Sequence, residues 1–166
     1  MPVKIRNMSK EEFDIFYQWS IEHNTAELME ERGLSRDTAL KETKEEVSQM
    51  LPKGLDTEHH HLLSIVETDC EKVVGFLWTI HEETNGRQQC FICDFAIWES
   101  ERRKGYAKRM LSEALMFCRE NGHTNILITC NSNNYASERT ILANGGVLEN
   151  EIIIDGNCIK RYWVSL

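Results

Sequence analysis

The segment Arg102-Arg103-Lys104-Gly105-Tyr106-Ala107-Lys108-Arg109 constrains the fold more than any other part of the chain. Five of its eight residues are basic, in a chain whose formal net charge is -8. An apolar, strand-like run over 91–98 precedes it. After it, Ala107, Met110, Leu111, Ala114 and Cys118 recur at i, i+3, i+4, i+7 and i+11, the spacing of one helix face. The order is strand, cationic turn, helix. Such a turn aims backbone N–H groups and the positive helix end at one spot, which suits a phosphate or pyrophosphate. A side chain at Gly105 would keep an anion off the backbone. The competing reading is a solvated helix start. It leaves cations opposing the helix dipole, at a few tenths of a kcal/mol each.

The rest of the chain bounds the alternatives. Its 166 residues are expected to form one domain, 1–166, long enough to bury a substantial core. A hydrophobic share of 41% with 28% charged residues fits a soluble globular protein. Apolar runs are short and broken by charge, so no membrane span is expected. Met1-Pro2-Val3-Lys4-Ile5-Arg6 lacks an apolar h-region and reads as a first strand, so the expected location is cytoplasmic. The six cysteines are then expected to be reduced thiols. Cys90-x-x-Cys93 lacks a second cysteine pair or a nearby histidine pair, so it reads as core and no metal is expected. The acidic balance argues against nucleic acid, which needs a broad basic face. It suits a cationic partner such as an amine, or solubility alone.

Ser9-x-x-Glu12 predicts a capping box and a helix over about 10–23. A second helix follows over about 36–51, with Leu40, Val47, Met50 and Leu51 on one face, ended by Pro52 and Gly54. Strands are predicted over 62–66, 73–80 and 90–98, with a polar loop over 82–89. The central helix spans about 105–121 and stops at Asn121-Gly122. A strand over 126–130 and a helix over about 134–144 come next. Two last strands, 147–154 and 158–164, flank Asp155-Gly156, a hairpin signal.

Arg102-x-x-Gly105-x-Ala107 resembles the acyl-CoA signature, Gln/Arg-x-x-Gly-x-Gly/Ala, of the GNAT superfamily of N-acetyltransferases. Asn134-x-x-Ser137 followed by Gly145-Gly146 is similar to that family's second motif. Leu51-Pro52-x-Gly54-Leu55-x-Thr57 and the histidines after it resemble a small bacterial branch. The resemblance implies an α/β (α+β) GNAT fold: a mixed, mostly antiparallel sheet, about four helices, and a V-shaped splay between the two central strands. It implies acetyl transfer from acetyl-CoA, as co-substrate, to an amine acceptor. Residues 89–146 would be the acetyl-CoA-binding core, and the helical pair over 9–51 would cover the acceptor site. Backbone groups of Phe95, Ala96 and Ile97 would meet the pantetheine arm, and one N–H there would polarise the thioester carbonyl. Arg102, Arg103, Lys104, Gly105, Tyr106, Ala107 and Lys108 would cradle the pyrophosphate, with Lys104, Lys108 and Arg109 neutralising further charge. Asn134 and Ser137 would complete the cofactor set, unless Asn134 is a plain helix cap.

The proton chemistry is less determined. Asp94 lies inside the apolar run, where burial would raise its pKa, or where it is a structural residue satisfied by nearby donors. Glu99, at the run's end, is the second catalytic candidate. The tyrosine that many family members use as general acid falls at Ile141 here, a departure. Cys130 is the rival nucleophile, against a core thiol. Of His59, His60 and His61, alternation sends neighbours to opposite faces, which argues against one shared metal ion; the resemblance implies one of them lining the acceptor slot, with Trp19 and Trp78 as further lining or as core. Ile152, Tyr162 and Trp163 read as exposed, and by analogy could support a homodimer. A non-catalytic acyl-CoA-binding sensor or interaction module is the alternative reading.

Overall fold

A capped helix opens the structure after its first strand. In the computed structural model, which describes residues 2–84 and 86–166, Ser9 Oγ accepts the Glu12 N–H at 3.2 Å and the Glu12 carboxylate accepts the Ser9 N–H at 2.9 Å. Helix α1 (Lys10–Arg32) follows strand β1 (Val3–Asn7). It runs nine residues beyond its predicted end at about 23, to Arg32. Thr25 continues the buried stripe of Phe13, Phe16, Ser20 and Ile21, and Ala26, Glu27, Leu28 and Met29 are good helix formers. Gly33 ends it at φ 63, its N–H bonded to Met29 O. Helix α2 (Arg36–Met50) buries Ala39, Thr43 and Val47, one position off the predicted stripe through Leu40.

The chain divides into two compact units, residues 8–60 and β1 together with residues 61–166. In the first, Arg32–Glu42 and Arg36–Glu22 ion pairs tie α1 to α2. Being exposed, they contribute little. Aromatic packing of Phe13 on Phe16 and Tyr17 supplies the apolar interior.

The second unit is built on a seven-stranded sheet. Its strands are β1, β2 (His60–Glu67), β3 (Lys72–Thr84), β4 (Arg87–Ile97), β5 (Asn125–Asn131), β6 (Val147–Ile154) and β7 (Asn157–Ser165), in the order β1-β2-β3-β4-β5-β7-β6. The β4/β5 ladder is parallel; β1/β2, β3/β4, β5/β7 and β6/β7 are antiparallel. The polar stretch 82–89, predicted as a loop, is mostly the outer arms of the β3/β4 hairpin, paired as Glu82↔Gln89, Glu83↔Gln88 and Thr84↔Arg87. Glu82, Glu83 and Gln88 are exposed, and polar residues in consecutive positions hide the strand period. Asn85 lies outside the described residues. The Asp155-Gly156 turn joins β6 to β7 with φ 49 and 82, both left-handed as a two-residue hairpin requires.

Helix α3 (Tyr106–Glu120) connects β4 to β5 and lays Tyr106, Met110, Leu111, Ala114 and Cys118 into the core with Ile126, Ile128 and Val164. Tyr162, expected on the surface, belongs to this core at 2% exposure. Ile152 and Trp163 are half-buried; the exposed apolar residues of β6 are Val147, Leu148, Ile153 and Ile154. Helix α4 (Tyr135–Ala143) packs beside α3. Among the described residues no helix is long and apolar enough to cross a membrane.

Candidate functional site

Strand β4 changes partners halfway along. Cys90, Phe91 and Ile92 pair with Ile126, Leu127 and Ile128 of β5, and the ladder ends there. On its other edge β4 stays with β3 as far as Ile97↔Gly75. Between Ile92↔Thr79 and Asp94↔Trp78 the register shifts, leaving Cys93 as an extra residue, a β-bulge. The bulge bends β4 where β5 leaves it, so a gap opens between two neighbouring strands.

Alternation then decides which backbone groups line the gap. The Trp98 N–H donates to Val74 O at 2.8 Å, so Trp98, Ala96 and Asp94 direct their amides towards β3. Phe95 and Ile97 present N–H and C=O to the opposite edge, the gap. Ile97 O is met there by Arg102 Nε at 3.1 Å. Of the three residues predicted to meet a pantetheine arm, Phe95 and Ile97 therefore carry the open edge. Ala96 is committed to the ladder. Gly75 permits the close fit on that side: a Cβ there would sit 2.1 Å from Ala96 O.

The loop after β4 is anchored from beneath by a residue the sequence reading passed over. Glu101, 4% exposed, takes ion pairs from Lys72 and, at 2.9 Å, from Lys104. The hydrogen bond from Lys72, then that from Lys104, pulls the Glu101 carboxyl down to about 2. Lys104 is thus partly neutralised before any ligand arrives. Only its spacing three residues before Lys104 hinted at this role; its partner Lys72 is remote in sequence.

Above this anchor the backbone turns twice through left-handed space, at Arg103 (φ 65) and Gly105 (φ 81). Gly105 is the N-cap of α3, which carries no side-chain cap and no acidic residue in its first turn. A Cβ on Gly105 would meet nothing within 4 Å. The space over the turn is open, and backbone N–H groups can form an anion-holding concavity there. Arg102, Arg103, Lys108 and Arg109 are exposed around it, and Ala107 is half-buried. Tyr106 places its ring in the core, where burial pushes its hydroxyl pKa up, so it offers only backbone to the turn. The donor set fits a diphosphate.

Across the gap, Asn134 Oδ1 accepts the Ser137 N–H at 3.2 Å, capping α4. Glu138 accepts hydrogen bonds from Lys160 Nζ at 2.7 Å and from the Tyr162 hydroxyl. Lys160, then Tyr162, holds the Glu138 carboxyl below the usual range. Burial, then Glu138, pushes the Tyr162 hydroxyl above its usual value. Ile141 is fully buried, with Gly146 packed so close that a Cβ would lie 2.5 Å from its Cγ2. Cys130 is buried, which pushes its thiol pKa up. A thiol so placed is a poor nucleophile.

Asp94 is half-buried, which corrects the expectation of a carboxylate sealed in apolar surroundings. The bulge leaves it in register with Trp78, and its side chain shares a sheet face with Ala96. Glu99 is exposed on a single 3₁₀ turn, Glu99–Glu101. The His61 ring packs against that of His81, tilted by 42° with centroids 4.2 Å apart, and Trp78 is buried. Trp19 stacks on His23 at 4.6 Å.

Residues 11–144 match the profile of the acetyltransferase (GNAT) family. The chain is 33% identical over 112 residues to the uncharacterised N-acetyltransferase YycN of Bacillus subtilis (strain 168), covering 68% of this chain and 71% of that protein. A crystal structure of YycN matches with a TM-score of 0.81 at 27% identity, over 92% of this chain and 96% of that one. Spermidine N-acetyltransferase from Vibrio cholerae, in complex with CoA and spermine, gives 0.72 at 14% identity over 98% and 95% of the two chains. The aminoglycoside acetyltransferase AAC(6′)-Ib, in complex with coenzyme A, gives 0.68 at 15% identity over 98% and 94%. These last two likenesses concern the fold.

Proposed function

The chain belongs to the acetyltransferase (GNAT) family, and from that premise we propose a reaction in which the acetyl group of acetyl-CoA passes to a primary amine of a small molecule or peptide by direct attack. The protein is a GNAT-type N-acetyltransferase. The observation that carries the proposal is the continuity between the open β4 edge at Phe95 and Ile97 and the left-handed turn at Arg103–Gly105. One binds an extended amide arm; the other binds a diphosphate.

Acetyl-CoA supplies a thioester carbonyl as electrophile. The Phe95 and Ile97 edge orients that arm by backbone hydrogen bonds. An N–H of this edge stabilises the oxyanion that forms when the amine nitrogen bonds to the carbonyl carbon. Asp94, or Glu99 through water, accepts the proton that the incoming ammonium must lose. On collapse the C–N bond is retained and the C–S bond breaks; the nitrogen gives its second proton to water, and the thiolate takes a proton from solvent. Ile141 is core, and the Tyr162 hydroxyl is engaged by Glu138. The raised pKa of Cys130 supports transfer without a covalent enzyme intermediate. We include in the same proposal a cytoplasmic protein that uses no nucleic acid and no membrane, with the β6 surface able to support a homodimer.

Calorimetry with CoA at low salt, with thiol release measured over a panel of amines, tests the proposal. Wild type should bind CoA and release thiol with at least one amine. Gly105→Val should weaken CoA binding about tenfold, because a branched side chain in left-handed space costs about 1–2 kcal/mol. Absence of CoA heat from wild type would overturn it. Tight CoA binding without turnover, and no effect of Asp94→Asn, would instead assign a non-catalytic acyl-CoA-binding module.

A further inference from the structure

Three elements bring sulfur and nitrogen ligands to one point between the sheet and α3, through residues that carry no part of the transfer chemistry. His81 comes from β3, Cys90 from β4 and Cys118 from α3. One ligand atom from each lies within 4.8 Å of the others. The two sulfurs are 3.0 Å apart, and both cysteines are fully buried. Behind them, His123 Nε2 stands 2.8 Å from His81 Nδ1. His123 is itself 4% exposed, and its Nδ1 is buried with no partner among the described residues. His61 and Phe117 close the remaining sides of His81, with ring centroids at 4.2 Å and 6.4 Å.

We propose that His81, Cys90 and Cys118 form a site for a thiophilic divalent cation, Zn2+, with His123 positioning His81 from its second nitrogen. Two thiolates neutralise the ion, so the loaded site puts no net charge into the core. Binding displaces two thiol protons to solvent and forms two metal–sulfur bonds. Tetrahedral zinc with bonds of about 2.3 Å sets its sulfurs about 3.8 Å apart. The pair at 3.0 Å reaches that by opening about 0.8 Å through side-chain torsions. A histidine ligand held at its other nitrogen is the arrangement metal sites use to fix ring orientation. Thr79 Oγ1 lies 3.3 Å from His81 Nε2 and, as a neutral hydroxyl, is a weak competitor for the ion. Cys90 pairs with Ile126, inside the closed part of the β4/β5 ladder, seven residues from Ile97. At about 3.3 Å per residue, Cys90 stands roughly 17 Å along the strand from Phe95 and roughly 23 Å from Ile97, the two residues of the open edge. The ion joins the sheet to α3 and takes no part in acetyl transfer.

The test uses the full chain, purified under reducing conditions and stripped with a chelator. Zn2+ is titrated by calorimetry and Co2+ by absorption. One equivalent should bind, with a sulfur-to-cobalt charge-transfer band, and Zn2+ should raise the melting temperature. Cys90→Ala should lose the band, and so should Cys118→Ser, a second variant should the first fold poorly. His123→Gln should weaken binding about 10–100-fold. Acetyl transfer by the stripped protein should stay at the wild-type level below its melting temperature. The proposal fails if wild type binds no ion, or binds one without the sulfur band, as an exposed histidine would. It also fails if Cys90→Ala binds as wild type does, or if Cys90 and Cys118 are joined by a disulfide in the reduced preparation.

Discussion

The two halves of β4 share one strand and similar apolar content, yet they are built for different ends. From Cys90 to Ile92 the strand is paired on both edges and sealed beneath α3. From Asp94 to Ile97 it is paired on one edge only, and the other faces a gap. A bulge of one residue, Cys93, separates them. The comparison teaches that in this sheet stability and binding are divided along one strand. The closed half spends its backbone on the ladder; the open half withholds Phe95 and Ile97 from it. The open half is braced where it ends, by Glu101 between two lysines in the following loop and by Arg102 on Ile97 O at the gap edge.

The division can be broken by substitution. The largest effect is expected in the closed half. Ile92→Ala should cost about 2–5 kcal/mol of unfolding free energy, read from urea melts, by the usual penalty for truncating a buried isoleucine. CoA affinity of the folded protein should not change; a parallel loss of affinity would show that the halves are not separable. Phe95→Pro removes the N–H that faces the gap and leaves the β3 ladder its donors. Against Phe95→Leu, which keeps that N–H and loses similar packing, kcat should fall about 10²–10³-fold if this N–H serves the oxyanion. Equal rates would move that role to Ile97.

The smallest effect sharpens the account of the brace. The Glu101 carboxyl lies at about 2, against an ordinary 4.5. A depressed carboxylate contributes stability above its unfolded value and loses it as pH falls through the folded one. The melting temperature should therefore decline between about pH 4.5 and about 2, and Glu101→Gln should flatten part of that decline. Glu138, depressed in the same direction, keeps some slope in the variant. An unchanged slope would remove Glu101 from the brace.

Much of this was legible in the chain. Ser9 and Glu12 specify their capping box, and Gly105 specifies its turn, because each rests on neighbours within four residues. The α3 stripe and the Asp155-Gly156 hairpin follow from period and local backbone freedom. Asp94 inside an apolar run looked like a sealed carboxylate, because the run shows neither the bulge nor the lost neighbour that leaves it half-buried. Tyr162 looked exposed because a strand's two faces cannot be ranked before its partners are known.

The sequence by itself determined the strand–turn–helix unit, the element order and the family, all set by short-range spacing and residue type. Only the tertiary structure decided that β5 leaves β4 after Ile92, that Lys72 reaches Glu101, and that His81, Cys90, Cys118 and His123 converge. Each of these joins residues far apart along the chain, and their meeting is fixed by packing of the whole sheet, which no local pattern encodes.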